Sequence, residues 1–364
     1  MLGVGGFMAD FQTAFTLAIA PMRVRFGTPA AQAVKAELAA LGLKRAVVLS
    51  TASQAMTARA FASSVGPSVV DVFAEAQMHT PVAVTARAVD FVHAVRADAV
   101  VSLGGGSTTG LGKAIALHTD LLQIVVPTTY AGSESTAILG QTEDGLKTTI
   151  TDPKVQPEVI IYDPALLVTL PVAVTVTSGL NAIAHAAEAL YARDRNPLTS
   201  ALAALGLEAM INGLRRVVAD PVDHAALGRT QYGAFLCGLV LGQVGMSLHH
   251  KLCHVLGGSF NLPHAETHAV ILPHAIAFNA GAVADELAPL TALLGNADAG
   301  LGLQRFAASL GAPRSLRSLG LLEADLDRAA DLALKTPYWN PRPLDRASIR
   351  ALLQRAWAGD AASL

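Results

Sequence analysis

Hydrophobic positions change their spacing about midway along the chain. From about Met22 to Pro164, short runs rich in β-branched residues alternate with alanine-rich stretches of helical length: RAVVLS (45–50), SVVDVF (68–73), ADAVVSLGGGS (97–107), LLQIVVPTT (121–129) and VIIYDP (159–164). Short apolar runs that alternate with helical stretches predict βαβ units and a parallel sheet covered on both faces. From about Leu166 the strand signals stop, and alanine and leucine recur at helical period to the C-terminus. The expected architecture is α/β plus all-α: a Rossmann-like parallel-sheet domain over residues 1–165, then a helical domain over residues 166–364.

Two polar loops stand out against this pattern. In ADAVVSLGGGSTTGLGK (97–113) a buried strand ends in three glycines and a serine before a helix opens. Glycine lets the backbone approach a phosphate closely, and the helix N-terminus beyond it offers free N–H groups and the positive end of a dipole. A tight βα turn would use the same residues, and neither the GxGxxG spacing nor the Walker lysine pattern is met. PTTYAGSESTA (127–137) follows the next strand with six hydroxyl side chains and is expected to lead into a helix. Both loops leave the carboxyl ends of adjacent parallel strands, so they face one crevice, the place where open α/β sheets bind ligands.

Composition narrows the classes. A chain of 364 residues exceeds the size at which one hydrophobic core keeps growing, which agrees with two domains. A formal net charge of -2 gives no electrostatic case for a nucleic-acid partner or an anionic membrane. Two cysteines, Cys237 and Cys253, rule out a disulfide framework and suit a reducing cytoplasm. Two charge-free runs, Pro164 to Ala184 and Gln231 to Leu248, hold prolines, glycines, glutamines or hydroxyl residues and read as buried core helices instead of membrane spans. The N-terminal MLGVGGFMADF lacks the basic start of a signal peptide and reads as a disordered leader.

The densest candidate chemistry is SLHHKLCHVLGGSFNLPH (247–264), with four histidines, a cysteine and a lysine. His250 and His254 lie one helical turn apart and share a face, and His264 follows a Gly-Gly break, which resembles metal-ligand spacing. Cys253 reads as a buried small residue; His249, His268 and His274 read as neighbours or structural residues.

Taken in order, GGGS after a strand, PTT-x-AGSE after the next, DP at 163–164, NAIAH at 181–185 and His-x3-His-x9-His from 250 to 264 resemble the iron-containing alcohol dehydrogenase superfamily. Within it, PTTYAGSE, HHKLCH and LPHAETHAVILPH are most similar to the maleylacetate reductase branch. The resemblance implies the dehydroquinate synthase-like fold, with the active site in a cleft between the sheet domain and the helical domain. It also implies NAD as cofactor, as NADH and also NADPH, a small dicarboxylate substrate, and a homodimer. The alternative it leaves open is a metal-dependent alcohol or glycerol dehydrogenase.

Residue by residue, the resemblance places Gly104, Gly105, Gly106 and Ser107 around the pyrophosphate, Thr128, Thr129 and Ser133 along the cleft, and Lys147 near the nicotinamide ribose. Ser50 and Thr51 stand where NAD-specific proteins often carry an acid that repels a 2′-phosphate. Metal-dependent members hold their ion at positions that resemble Asn181, His185, His250 and His264. The carboxylate is missing at the first of these, so no metal is expected, and Asn181, His185, His250, Tyr130 and Lys251 become candidates for substrate binding. Reduction of a carbon–carbon double bond conjugated to a ketone needs an oxyanion stabiliser and a proton donor, and His254, His264 and Lys251 are the candidates.

Overall fold

The computed structural model describes residues 14–143 and 146–363, with the side chains of Leu146 and Lys147 also outside the described set. The expected N-terminal leader and the expected contact of Lys147 therefore lie outside the described residues.

The strands are β1 (Arg23–Phe26), β2 (Ala46–Leu49), β3 (Val69–Phe73), β4 (Ala99–Gly104), β5 (Leu122–Pro127), β6 (Ile138–Glu143), β7 (Leu146–Thr151) and β8 (Val159–Tyr162). Six of them form one all-parallel sheet in the order β1-β8-β5-β4-β2-β3, while β6 and β7 pair as a separate antiparallel hairpin. Four helices lie among the strands: α1 (Ala30–Ala40), α2 (Ala55–Val65), α3 (Val82–Ala94) and α4 (Gly106–Thr119). Because successive strand residues point to opposite faces, Val48, Val101 and Ile124 pack with α1 and α2, whereas Val47 and Val100 pack with α3 and α4. The uninterrupted apolar runs are thus explained by cover on both sides. The chain steps from β2 outward to β3 and then crosses back to β4, so the order reverses between β2 and β4. Ser50 and the triple glycine leave the carboxyl ends of these two strands, at the point where ligands bind in this architecture.

Beyond β8 the described chain is helical: α5 (Val172–Leu190), α6 (Pro197–Ala219), α7 (His224–Leu241), α8 (Leu248–Phe260), α9 (His264–Ala280), α10 (Ala288–Leu294), α11 (Ala299–Ser309), α12 (Leu326–Leu334) and α13 (Arg346–Ala358). One core joins α5, α6, α7, α9 and α11; a second joins α8, α9, α12 and α13. The two charge-free runs become the buried α5 and most of α7. Among the described residues only α6 is long and apolar enough to cross a membrane, and 56% of its most apolar window is buried.

Three features depart from the sequence expectation. β1 reads RVRF and was not foreseen, because an edge strand with charges on alternate positions carries no continuous apolar run. The hairpin β6–β7 was not foreseen either. The expected helix after PTTYAGSESTA is replaced by a 3-10 turn at Ser133–Ser135 that leads into β6. The physical reason lies in Lys113, which binds the carbonyls of Ser133, Thr136 and Ile138 that a helix would use for its own ladder.

Candidate active site

The sheet side of the site is built from backbone. Gly104 closes β4 at φ +151°, where a side chain is strained, and a Cβ there would collide with Thr108. A Cβ on Gly105 would lie 2.9 Å from the Thr129 side chain, so the two polar loops touch only because this residue is glycine. Thr128 N–H donates to Gly104 O at 2.9 Å, fixing the second loop against the first. Gly105 is the N-cap of α4 and no side chain caps it; Thr108 and Thr109 N–H donate to Gly105 O, so the N–H groups of the exposed Gly106 and of Ser107 are the ones left to a ligand. This is a cradle for an anionic group such as a pyrophosphate.

Behind the cradle, Lys113 holds the second loop. Its Nζ donates to Ser133 O at 2.6 Å, Thr136 O at 2.6 Å, Thr136 Oγ1 at 2.9 Å and Ile138 O at 2.8 Å. Burial brings its pKa down to about 7 against the opposing charge of Glu134. Glu134 is itself buried, accepts from Tyr162 Oη at 2.9 Å, and has its carboxyl raised by desolvation. The same loop reaches the helical half: a Cβ on Gly132 would sit 3.4 Å from His185 Nδ1 and 3.0 Å from Gly238 Cα. The cradle and the histidines are thus joined by a single loop.

The helical side is a cluster of imidazoles around one carboxylate. His185 on α5 stacks on His250 with ring centroids 5.2 Å apart; His249 Nε2 lies 2.9 Å from His268 Nδ1, and the His264 and His268 centroids are 4.4 Å apart. At the centre is Glu188, which accepts from Ser247 N–H (3.1 Å), Ser247 Oγ (2.7 Å), His249 N–H (2.8 Å), His250 N–H (3.4 Å) and His250 Nδ1 (2.7 Å). A residue of α5 therefore caps the N-terminus of α8 and orients its second histidine. Burial pushes the Glu188 carboxyl up, but the hydrogen bond and charge of His250, with Ser247, outweigh it and hold the pKa at about 2. Burial and neighbouring imidazoles push His249 down to about 3, and His185 and His268 well below their ordinary value, so these rings stay neutral.

The structure brings most of the anticipated residues to this region, in different settings. His254 is exposed on α8 with its ring 6.3 Å from that of His250, and His264 is half-buried at the start of α9. Lys251 is half-buried with Nζ 5.5 Å from the centroid of the Tyr338 ring. Tyr130, expected to touch substrate, is wholly buried in the helical core, and Ser50 is wholly buried with Oγ donating to Thr51 O at 3.2 Å. The adjacent Thr51 is half-buried and 3.1 Å from Ser53 Oγ. Ser107, Thr128, Thr129 and Ser133 remain half-buried around the cradle. Nothing local in the sequence marks Lys113 as part of the site. The signal for Glu188 was weak but present: it lies three residues after His185, on the same face of α5.

A resident metal fits this donor set poorly. Asn181 is 4% exposed and its Oδ1 has no partner in the protein; it is a neutral donor at the position where an acid would supply charge. The carboxylate of the cluster, Glu188, is occupied by α8 and His250. His250 Nε2 and His185 Nδ1 are buried without protein partners, so with Asn181 they offer only neutral donor atoms. His249, Cys253 and His268 also have ligand atoms within 4.8 Å of one another, but two of the three are already hydrogen-bonded to each other.

This fold and this pair of half-sites define the class. The chain belongs to the iron-containing alcohol dehydrogenase family: the family model matches residues 21–164, and the model of the family's C-terminal region matches residues 175–357. Its similarity is to maleylacetate reductases in particular. It is 60% identical to the maleylacetate reductase of Rhizobium sp. strain MTP-10005 over 345 residues, 95% of this chain and 98% of that one. It is 49% identical to that of Burkholderia cepacia over 337 residues, 93% and 96% of the two chains. The crystal structure of maleylacetate reductase from Agrobacterium tumefaciens superposes with a TM-score of 0.92 at 58% identity, covering 96% of this chain and 100% of that one.

Proposed function

We propose that this chain is a maleylacetate reductase, using NADH, and NADPH less well, to reduce the carbon–carbon double bond of maleylacetate to 3-oxoadipate in the breakdown of aromatic compounds. The observation that carries this is the 60% identity to a maleylacetate reductase across 95% of the chain. When bound, the nicotinamide supplies a hydride to the carbon beta to the ketone. Gly104 to Ser107 and the α4 N-terminus hold the pyrophosphate, and Thr128, Thr129 and Ser133 line the cleft beside it. Thr51 stands at the β2 end in place of an acid that would repel a 2′-phosphate, and so tolerates one.

Negative charge develops on the ketone oxygen as an enolate, and the neighbouring carbon must then gain a proton. His250, fixed through Nδ1 by Glu188, and His264 face the oxyanion, while the exposed His254 exchanges protons with solvent. Lys251 and the neutral Asn181 and His185 receive the substrate carboxylates. The enzyme works without a resident metal, because the donor set lacks an acid at residue 181. It acts as a cytoplasmic homodimer; both cysteines are free and buried, which suits a reducing compartment.

The test is NADH consumption with maleylacetate beside a panel of primary alcohols, glycerol and aldehydes. Turnover confined to maleylacetate is expected. Efficient oxidation of a simple alcohol would favour the alcohol dehydrogenase alternative.

A further inference from the structure

A cavity lies in the helical half, away from the cradle and on another face of α9 from the histidine cluster. Its volume is about 340 Å³, and it lies between α9, α11 and the C-terminal segment, with Val270, Pro273, His274, Arg305, Ala308 and Arg314 in its lining. That size is within the range of small-molecule sites. Although Val270 follows His268 by only two residues, Val270, Pro273 and His274 lie on a different side of α9 from His264 and His268, so the cavity and the histidine cluster occupy different faces of that helix.

The lining combines an apolar surface with cations. Val270, Pro273 and Ala308 are hydrocarbon, and among the described residues no acidic side chain lines the cavity. No salt bridge among the described residues involves Arg305 or Arg314. Two buried polar atoms beside it are left over: His274 is 2% exposed with Nδ1 lacking a partner, and Arg355 of α13, whose charge bears on His274, has a buried Nε without a partner. Burial first, and the Arg355 charge second, push His274 down to about 4, so it is a neutral imidazole in a cationic setting. Buried polar groups without partners are rare in proteins, and here they line or adjoin a cavity of ligand size. Planar guanidinium forks match a carboxylate, and the hydrocarbon wall matches a ring or short chain.

We propose that this cavity is a second, non-catalytic binding site for a small apolar carboxylate, held by Arg305 and Arg314 at its charged end and by Val270, Pro273 and Ala308 along its hydrocarbon part, with His274 as a further polar contact. The proposal does not rest on the reductase activity.

The experiment is isothermal titration of the full-length enzyme, saturated with NAD+ so that maleylacetate is not turned over, using benzoate as the probe and inorganic phosphate as a compact anion without hydrocarbon. Benzoate is expected to bind one site per chain with a dissociation constant of about a millimolar or tighter. The exposed pair Arg305→Ala/Arg314→Ala should weaken it at least tenfold and leave steady-state turnover unchanged. Phosphate should bind at least tenfold more weakly than benzoate. Equal benzoate affinity in the double variant, displacement of benzoate by maleylacetate, or phosphate binding as tight as benzoate would each overturn the assignment.

Discussion

The two faces of the proposed active site are made differently. On the sheet face the contacts come from backbone at glycines, Gly104 and Gly105, held by local threonines. On the helical face they come from buried side chains whose orientation depends on Glu188, a residue about 60 positions before the groups it holds. A backbone cradle needs only a few residues in sequence; an imidazole cluster needs three helices packed in register. The sheet face should therefore govern cofactor affinity and the helical face turnover, and variants should separate these two quantities.

The largest separation is expected at His254 and His264. Replacing either with Ala should lower kcat by roughly 10² or more while NADH binding, followed by fluorescence, changes little. A His254→Ala enzyme with near wild-type turnover would remove that residue from the mechanism. In the opposite sense, Gly104→Ala places a side chain at φ +151° and against Thr108, and should weaken NADH by about tenfold or more through the cradle. An unchanged NADH dissociation constant would separate this glycine from the cofactor.

Much of the sheet face was legible in the sequence because its signals are local. Runs such as AVVL and VIIY name buried parallel strands directly, and three glycines after a strand name the cradle. β1 was not legible, since Arg23 and Arg25 interrupt it and their role emerges only from pairing with Glu37 of α1. Lys113 resembled no nucleotide motif, and its four acceptors become visible only when the second loop folds back on α4. On the helical face, the spacing of His250, His254 and His264 marked a site, but Glu188 sits in an alanine-rich helix whose partners lie in another element. A long-range hydrogen bond leaves no period in the sequence.

Protonation of buried histidines should destabilise the helical half of the molecule as the pH falls. His274 and His249 have folded pKa values of about 4 and about 3, below the roughly 6.5 of an unfolded histidine. Below pH ~6.5 the unfolded chain binds protons that the folded one refuses, so stability is lost as pH falls from there toward those folded values. Glu188 adds a second loss: its folded pKa of about 2 gives stability that is full above the unfolded carboxylate value of ~4.3 and disappears as pH falls through about 2. Thermal unfolding against pH should show both phases, and Glu188→Gln should remove the second while lowering Tm at neutral pH. A variant with wild-type Tm would mean that α8 does not need its cap from α5.

A smaller effect is expected at Lys251, whose ammonium lies over Tyr338. Lys251→Met should raise KM for maleylacetate several-fold, leave that for NADH nearly unchanged and reduce the salt sensitivity of substrate binding. An unaltered substrate KM would confine Lys251 to its contact with Tyr338.

In the proposed function, the helical face performs without an ion the task that a metal performs in metal-dependent members of the family. The most direct measurement is the rate of NADH-dependent maleylacetate reduction by enzyme dialysed against a strong chelator, with metal content determined on the same sample. The account predicts an undiminished rate at less than stoichiometric metal. Loss of activity on chelation, restored by zinc or iron, would contradict it.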